Sequence, residues 1–212
     1  MERNSSKLEE NVDILANIVN NIDFGERNIE PVIEFLLTSD FIYAPASKSQ
    51  YNNYLGGLFD HSLLVFKILK DLNKLLDVPY GEDTIFIVSF LHDLYKTNCF
   101  TLETVKYNEG GSLVEKQVWK YEDNFPIGQS EKTLFLIANN NLIELTEDEI
   151  LALRWFRGSY EVGNVLDYQK QKCYLLADAK CPLIRLLSAA DISAIAIERQ
   201  KTMEYDISKF GE

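Results

Sequence analysis

The stretch TIFIVSFLHDLYK, residues 84–96, is an apolar run that ends in His92 and Asp93, and it decides the fold predicted for the chain. The acidic pair at residues 82–83 is typical of a helix start. The run is apolar on nearly all sides, which predicts a central, buried helix over residues 81–96. An imidazole and a carboxylate at the end of such a helix need polar partners, because burying a polar group without one is costly.

Amphipathic helices are predicted on both sides of this central helix, since apolar residues recur there at spacings of three and four. Three of them precede it and three follow it, over residues 7–22, 30–41, 57–76, 130–140, 146–156 and 182–200. The last but one begins with Thr146 and Glu149 at the spacing of a capping box.

Residues 104–121 break the helical pattern, because strand-like runs flank the turn signal NEGG. This pattern predicts a β-hairpin. The predicted fold class is therefore all-α, a helical bundle with a small inserted β-hairpin. We expect residues 1–212 to form a single domain, with an N-terminal helical extension over about residues 1–27.

The composition argues against several classes of protein. The formal net charge of −12 disfavours general binding to the nucleic-acid backbone, which depends on Lys and Arg. Three cysteines without a CxxC spacing are expected to be free thiols in a reducing cytosol. No N-terminal signal core is visible, and no apolar run approaches the roughly 20 residues that cross a bilayer. We therefore expect a soluble, cytoplasmic protein with no membrane partner.

Four side chains have the chemistry of a metal site. A single buried histidine is more often a hydrogen-bonded core residue, but His92 is followed by Asp93, and both can reach a cation beside the helix. His61 lies on a separate predicted helix, and Asp191 is a lone carboxylate among small and apolar residues, where it needs a counter-charge. Imidazole and carboxylate together suit Zn, Mn, Fe, Co or Ni better than Ca.

The order of these residues, His61, then His92-Asp93, then Asp191, resembles the HD-domain metal-dependent phosphohydrolases. The likeness extends from about residue 28 to residue 199 and includes the blocks SDFIYAPAS, GGLFDHSL, FLHDLYK, DNFPIGQSEKT, LTEDEILALRWFRG and PLIRLLSAADISA, as in a bacterial and phage subfamily. The resemblance implies a helical bundle that holds one divalent transition metal ion, with Mg²⁺ as a further possibility. It implies that these four residues are the ligands.

Three positions depart from the pattern of that family. The resemblance leads us to expect histidines where this chain has Tyr51, Gln129 and Phe156. In the wider family, additional histidines complete a second metal site or contact the phosphate. The chain thus keeps the ligands of a mononuclear site and lacks those of a dinuclear one, so weakened or lost catalysis is an open alternative.

The resemblance also suggests roles for the neighbouring charges. Asp93 and Lys96 are the candidate catalytic residues, and Lys96 matches the lysine of the HD-x-x-K pattern. Lys132, Arg154, Arg157 and Gln129 are candidate substrate contacts, although a single Lys or Arg is more often a surface charge, and Lys96 is also in place to complement a helix C-terminus.

Two functions are therefore expected as alternatives. The first is a metal-dependent phosphohydrolase, a phosphomonoesterase or phosphodiesterase, that acts on a nucleotide or nucleic-acid end. The second is a catalytically weakened HD protein that serves as a nucleotide-binding or protein-interaction module. Its location would be the bacterial cytoplasm, or the host cytoplasm if the chain is phage-encoded.

Overall fold

A computed structural model describes residues 2–110, 112–158 and 168–209, with side chains described except at residues 2–5, 109 and 202–209. The described part of the chain is mostly helical, as predicted. Its α-helices are α1 (Glu2–Asn20), α2 (Glu30–Thr38), α3 (Gly57–Asn73), α4 (Glu82–Leu91), α5 (Gln129–Asn139), α6 (Glu147–Trp155), α7 (Tyr168–Lys180) and α8 (Pro182–Lys209), and short 3₁₀ turns cover Asp40–Ile42 and Leu94–Lys96.

Helix α4 lies at the centre of the bundle, as its apolar sequence predicts. Every residue from Thr84 to Leu91 is buried. Phe86 and Phe90 stack with ring centroids 4.6 Å apart, and such aromatic pairs contribute beyond the area they bury. Helix α3 packs against both α4 and α8. Helix α3 carries His61, α8 carries Asp191, and His92 and Asp93 directly follow α4, so α3 packs against the elements that bear the other candidate ligands.

The central helix is shorter than predicted. It ends at Leu91 rather than continuing to Lys96, and the chain tightens into a 3₁₀ turn in which the Lys96 amide donates to the Asp93 carbonyl (3.0 Å). His92 keeps helical angles, whereas Asp93 leaves them at φ −106° and ψ 18°. The sequence pattern did not reveal this break, because the apolar residue Leu94 continues the helical spacing after it. The His-Asp pair thus lies at a helix end, where the backbone turns.

The predicted hairpin is present and longer than expected. Strands β1 (Phe100–Glu109) and β2 (Ser112–Tyr121) pair antiparallel, in register from Phe100 opposite Tyr121 to Glu109 opposite Ser112. The prediction began the first strand at residue 104. The four additional residues pair with the end of β2, and the rings of Phe100 and Tyr121 lie 5.2 Å apart. The turn uses Gly110 at φ +59°, a conformation that favours glycine.

Helices α1 and α6 are present where the sequence predicts helices. Thr146 and Glu149 form the predicted capping box at the start of α6, each side chain accepting from the other residue's backbone amide. The N-terminal helix α1 packs on the core, where Leu15 is buried. Across the described residues, none of the helices has the length and apolar character that a bilayer span requires.

Candidate metal centre

His92 presents a free ring nitrogen to the centre of the cluster. Its Nδ1 lies 2.7 Å from the carbonyl oxygen of Ser89, and because a carbonyl only accepts, Nδ1 carries the proton. Nε2 is buried without a hydrogen-bond partner. Burial lowers the pKa of His92, which keeps the ring neutral. A neutral imidazole with a buried, unpaired nitrogen is the form that binds a metal.

His61 is oriented by a carboxylate that sequence reasoning missed. Glu198 Oε2 lies 2.9 Å from His61 Nδ1, and the other oxygen of Glu198 accepts from Asn52 Nδ2 at 2.8 Å. The His61 Nε2 atom therefore faces the cluster, 3.2 Å from Asp191 Oδ1. Glu198 follows Asp191 by seven residues, two turns along the same helix face. That spacing is a signal from which Glu198 could have been predicted.

The pKa of His61 is raised by the carboxylates around it. Burial alone would lower it, but the hydrogen bonds to Asp191 and Glu198 outweigh burial and raise the pKa to about 9. For Asp191, burial favours the neutral acid, but the contact with His61 holds the pKa below its usual value. The two residues thus form a charged pair. A cation that binds His61 would displace the imidazole proton.

Asp93 lies between two cations. Lys96 Nζ is 2.5 Å from Oδ2, and Arg157 donates to Oδ1 at 2.7 Å. Burial would raise the pKa of Asp93, but the charge of Lys96, together with those of neighbouring cationic groups, holds it well below its usual range. Burial also opposes the charge on Lys96 and Arg157, and Asp93 nevertheless raises the pKa of both. All three groups are therefore ionised.

Three of the four candidate ligands converge on one point, and Asp93 lies beside the two histidines. His61, His92 and Asp191 offer ligand atoms that all lie within 4.8 Å of one another, and Asp93 Oδ2 lies 3.6 Å from Nε2 of each histidine. Ligands bound at about 2.0–2.2 Å to one ion lie roughly 3–4 Å apart. The donor set, the spacing and the unpaired His92 nitrogen fit a single divalent cation.

Two aromatic rings stand beside the histidines, at positions where the resemblance led us to expect further histidines. The Tyr51 ring centroid lies 5.3 Å from that of His61, and the Phe156 centroid lies 5.5 Å from that of His92 in an edge-on arrangement. Burial raises the pKa of Tyr51 to about 12, so its hydroxyl stays protonated. It is therefore a hydrogen-bonding group rather than an anionic ligand.

Of the four predicted substrate contacts, two lie beside the cluster or its cavity, and the described contacts of the other two are elsewhere. Arg157 contacts Asp93 directly, and Gln129 is exposed at the start of α5. The contacts described for Lys132 and Arg154 are with other groups. Lys132 donates to Asp123 (2.6 Å) and to Cys99 Sγ, and Arg154 donates to Glu131 (2.7 Å). Their role in substrate binding remains a prediction.

A cavity of about 740 Å³ opens beside the cluster. Its lining includes Asp191, Phe156, Arg157, Gln129 and Arg199. The volume is within the range of small-molecule sites. A candidate ligand carboxylate, two arginines and an amide therefore face the same space.

Comparison with known proteins gives no match to a family model, a curated protein or a solved structure. The resemblance to HD-domain proteins therefore stays a prediction from the sequence.

Proposed function

We propose that the chain is an HD-type, metal-dependent phosphohydrolase of the cytoplasm that acts on a nucleotide or a nucleic-acid end. The observation that carries the proposal is His92 Nε2, which is buried, neutral and unpaired, and which faces Asp93, Asp191 and His61. An unpaired buried nitrogen costs free energy unless a ligand satisfies it. A divalent ion such as Mn, Zn, Fe, Co or Ni satisfies it best.

The bound ion would supply water activation and polarisation of a phosphate group. The side chains of the chain supply the rest. Glu198 fixes the orientation of the His61 ring, and the Ser89 carbonyl fixes that of His92. Lys96 and Arg157 place two positive charges at the edge of the cluster, where charge on a phosphoryl group develops during hydrolysis.

A second function is favoured by a different observation. The rings of Tyr51 and Phe156 lie against His61 and His92. Neither offers a ligand for a second ion, because phenyl has no donor atom and the Tyr51 hydroxyl is protonated. Such a site suits a weakened relative that binds a metal or nucleotide without rapid turnover. The protein would then act as a binding or interaction module.

One experiment separates the two functions. The metal content of the purified chain is measured first, and the manganese-loaded protein is then incubated with nucleoside phosphates, short oligonucleotides and an aryl phosphate. Release of phosphate or of a shortened product supports the phosphohydrolase. Stoichiometric metal with no turnover of any of these substrates supports the binding module, and absence of bound metal after manganese loading contradicts the phosphohydrolase.

A further inference from the structure

One cavity borders the ligand cluster, and a second borders Lys96, which contacts it. The larger one, of about 740 Å³, is lined by Asp191 and Arg157. The smaller one, of about 460 Å³, is lined by Lys96, Tyr51 and Tyr95. A cationic side chain that contacts the cluster therefore lines each cavity. Lys96 and Arg157 bind different oxygens of Asp93.

The two cavities adjoin each other. Gln129 lines both. In addition, Gln50 of the smaller cavity accepts a hydrogen bond from Arg199 of the larger one. A single extended ligand can therefore occupy both cavities while its middle lies beside the cluster.

The smaller cavity has the chemistry of a stacking site. Four aromatic residues contribute to its lining, namely Tyr51, Tyr95, Phe100 and Tyr121. The Lys96 ammonium group lies 5.6 Å and 5.8 Å from the ring centroids of Tyr51 and Tyr95. Aromatic rings beside a cation suit a planar base next to a phosphate, because bases stack on such rings without regard to sequence.

The larger cavity combines an apolar wall with positive charge. Ile192, Ile195 and Ala196 of α8 form part of the wall, and Arg157 and Arg199 contribute the charge. This lining suits a nucleoside that is attached to the far side of the same phosphate.

We propose that the substrate is a short phosphodiester whose phosphorus lies at the cluster and whose two ester groups occupy the two cavities. This inference rests on the proposed function. A phosphomonoester fills only one of them. The net charge of −12 opposes long-range attraction of a polyanion, so the recognised unit is a dinucleotide, either free or at the end of a single strand.

The reaction on such a substrate is balanced by one water molecule. Its oxygen bonds to phosphorus, and one P–O ester bond breaks. The leaving oxygen takes one water proton to become an alcohol, and the second proton is released to solvent from the new phosphomonoester.

Binding to the full chain without added metal tests the proposal apart from turnover. The probes are dithymidine phosphorothioate, which resists hydrolysis, and thymidine 5′-monophosphate. We expect the diester to bind at least tenfold more tightly. Tyr121→Ala, which removes a ring from the smaller cavity, and Ala196→Trp, which fills the larger one, should each weaken diester binding about tenfold.

The chain offers a matched control for each variant. Tyr107 is on the same hairpin as Tyr121 with similar exposure, 39% against 37%, and Ser193 is exposed on the same helix as Ala196. Neither residue is part of either cavity lining. Tyr107→Ala and Ser193→Trp should leave binding unchanged, and thermal melting should show all four variants folded.

Failure of the two-cavity proposal can be distinguished from failure of the proposed phosphohydrolase function. Equal affinity for monoester and diester, or loss of diester affinity in only one of the two cavity variants, would overturn the two-cavity assignment even if manganese-loaded protein hydrolyses phosphate esters. Diester binding that needs both cavities, without hydrolysis of unmodified dithymidine monophosphate, would refute the phosphohydrolase alone. With the diester confirmed, tighter binding of a ten-nucleotide strand identifies a strand end, and equal binding identifies a free dinucleotide.

Discussion

Glu198 Oε2 lies 2.9 Å from His61 Nδ1, and this contact determines which nitrogen of His61 faces the cluster. The carboxylate is almost completely buried, with 3% exposure, and Asn52 holds its second oxygen. Carboxylates that accept the second ring N–H of a ligating histidine fix its orientation and increase its basicity. The cluster is therefore supported by residues that do not themselves meet at its centre.

Glu198→Ala is expected to weaken metal binding without removing a ligand. The His61 ring loses its orienting partner, so the dissociation constant for Mn²⁺ should rise about 10–100-fold. Competition with a fluorescent chelator measures this constant. Glu34→Ala, an exposed position on α2, should leave the constant unchanged, and an equally small effect of Glu198→Ala would contradict the supporting role.

Asp191→Ala is expected to abolish stoichiometric metal binding. Its Oδ1 lies 3.2 Å from His61 Nε2 and 3.9 Å from His92 Nε2, so the substitution removes one corner of the donor set. Asp60 is the matched control because it neighbours His61 in sequence, yet its oxygens bind Lys7 and Tyr54. Elemental analysis of both variants checks the ligand assignment, and equal metal loss from Asp60→Ala would show it to be wrong.

The sequence predicted the parts of this site that depend on residue type and order. His61, His92 and Asp191 could be recognised as one donor set, because the chain has only two histidines and their order with Asp191 resembles that of the HD-domain ligands. The end of α4 before Asp93 could not be predicted, since it depends on a 3₁₀ turn closed by the Lys96 amide. The spacing of apolar residues predicts that the helix continues through Leu94. It contains no information about the tertiary contacts of Asp93.

Positive charges were the least predictable feature. Arg157 and Arg154 are three residues apart, yet one contacts Asp93 and the other pairs with Glu131. A three-residue spacing puts side chains on broadly the same helix side, but α6 ends at Trp155 between them. The predicted helix over residues 146–156 also ended between the two arginines, but the sequence pattern does not show which carboxylate each arginine contacts.

Arg27→Ala is expected to destabilise the bundle. Arg27 binds both oxygens of the fully buried Glu149 at 2.8 Å and also pairs with Asp83. Removing one partner of a buried pair leaves an uncompensated charge and costs about 3–5 kcal/mol. Urea denaturation measures the loss. Lys74→Ala breaks the exposed pair with Asp71, and a comparable loss there would mean that burial does not set the cost.

Lys96→Ala is expected to lower kcat about 100-fold while the metal content stays the same. An ammonium group cannot ligate a cation, and its charge beside Asp93 Oδ2 can stabilise phosphoryl charge in the transition state. Single-turnover rates and elemental analysis on the same sample separate the two effects. Lys120→Ala, on the exposed hairpin surface, is the control. Loss of metal along with activity would instead assign Lys96 to the structure of the cluster.

The choice between enzyme and binding module is tested by introducing histidines at two of the positions where the resemblance predicts them. The Phe156 ring lies against His92, and Gln129 lines both cavities, so Gln129→His combined with Phe156→His places two further donors beside the cluster. We expect manganese-loaded wild type to hydrolyse a phosphodiester already. The reason is that the buried Nε2 of His92 lacks a hydrogen-bond partner and costs free energy unless a cation binds it.

The control for this double variant adds two histidines elsewhere, as Gln117→His with Phe125→His, both at exposed positions. It should match wild type in metal stoichiometry and in rate. Metal-loaded wild type that turns over no phosphate ester, while the Gln129→His, Phe156→His variant does, would establish a weakened site and overturn the expectation of an enzyme. Activity in wild type that the restored histidines increase less than tenfold would show that Tyr51, Gln129 and Phe156 are compatible with catalysis by a single ion.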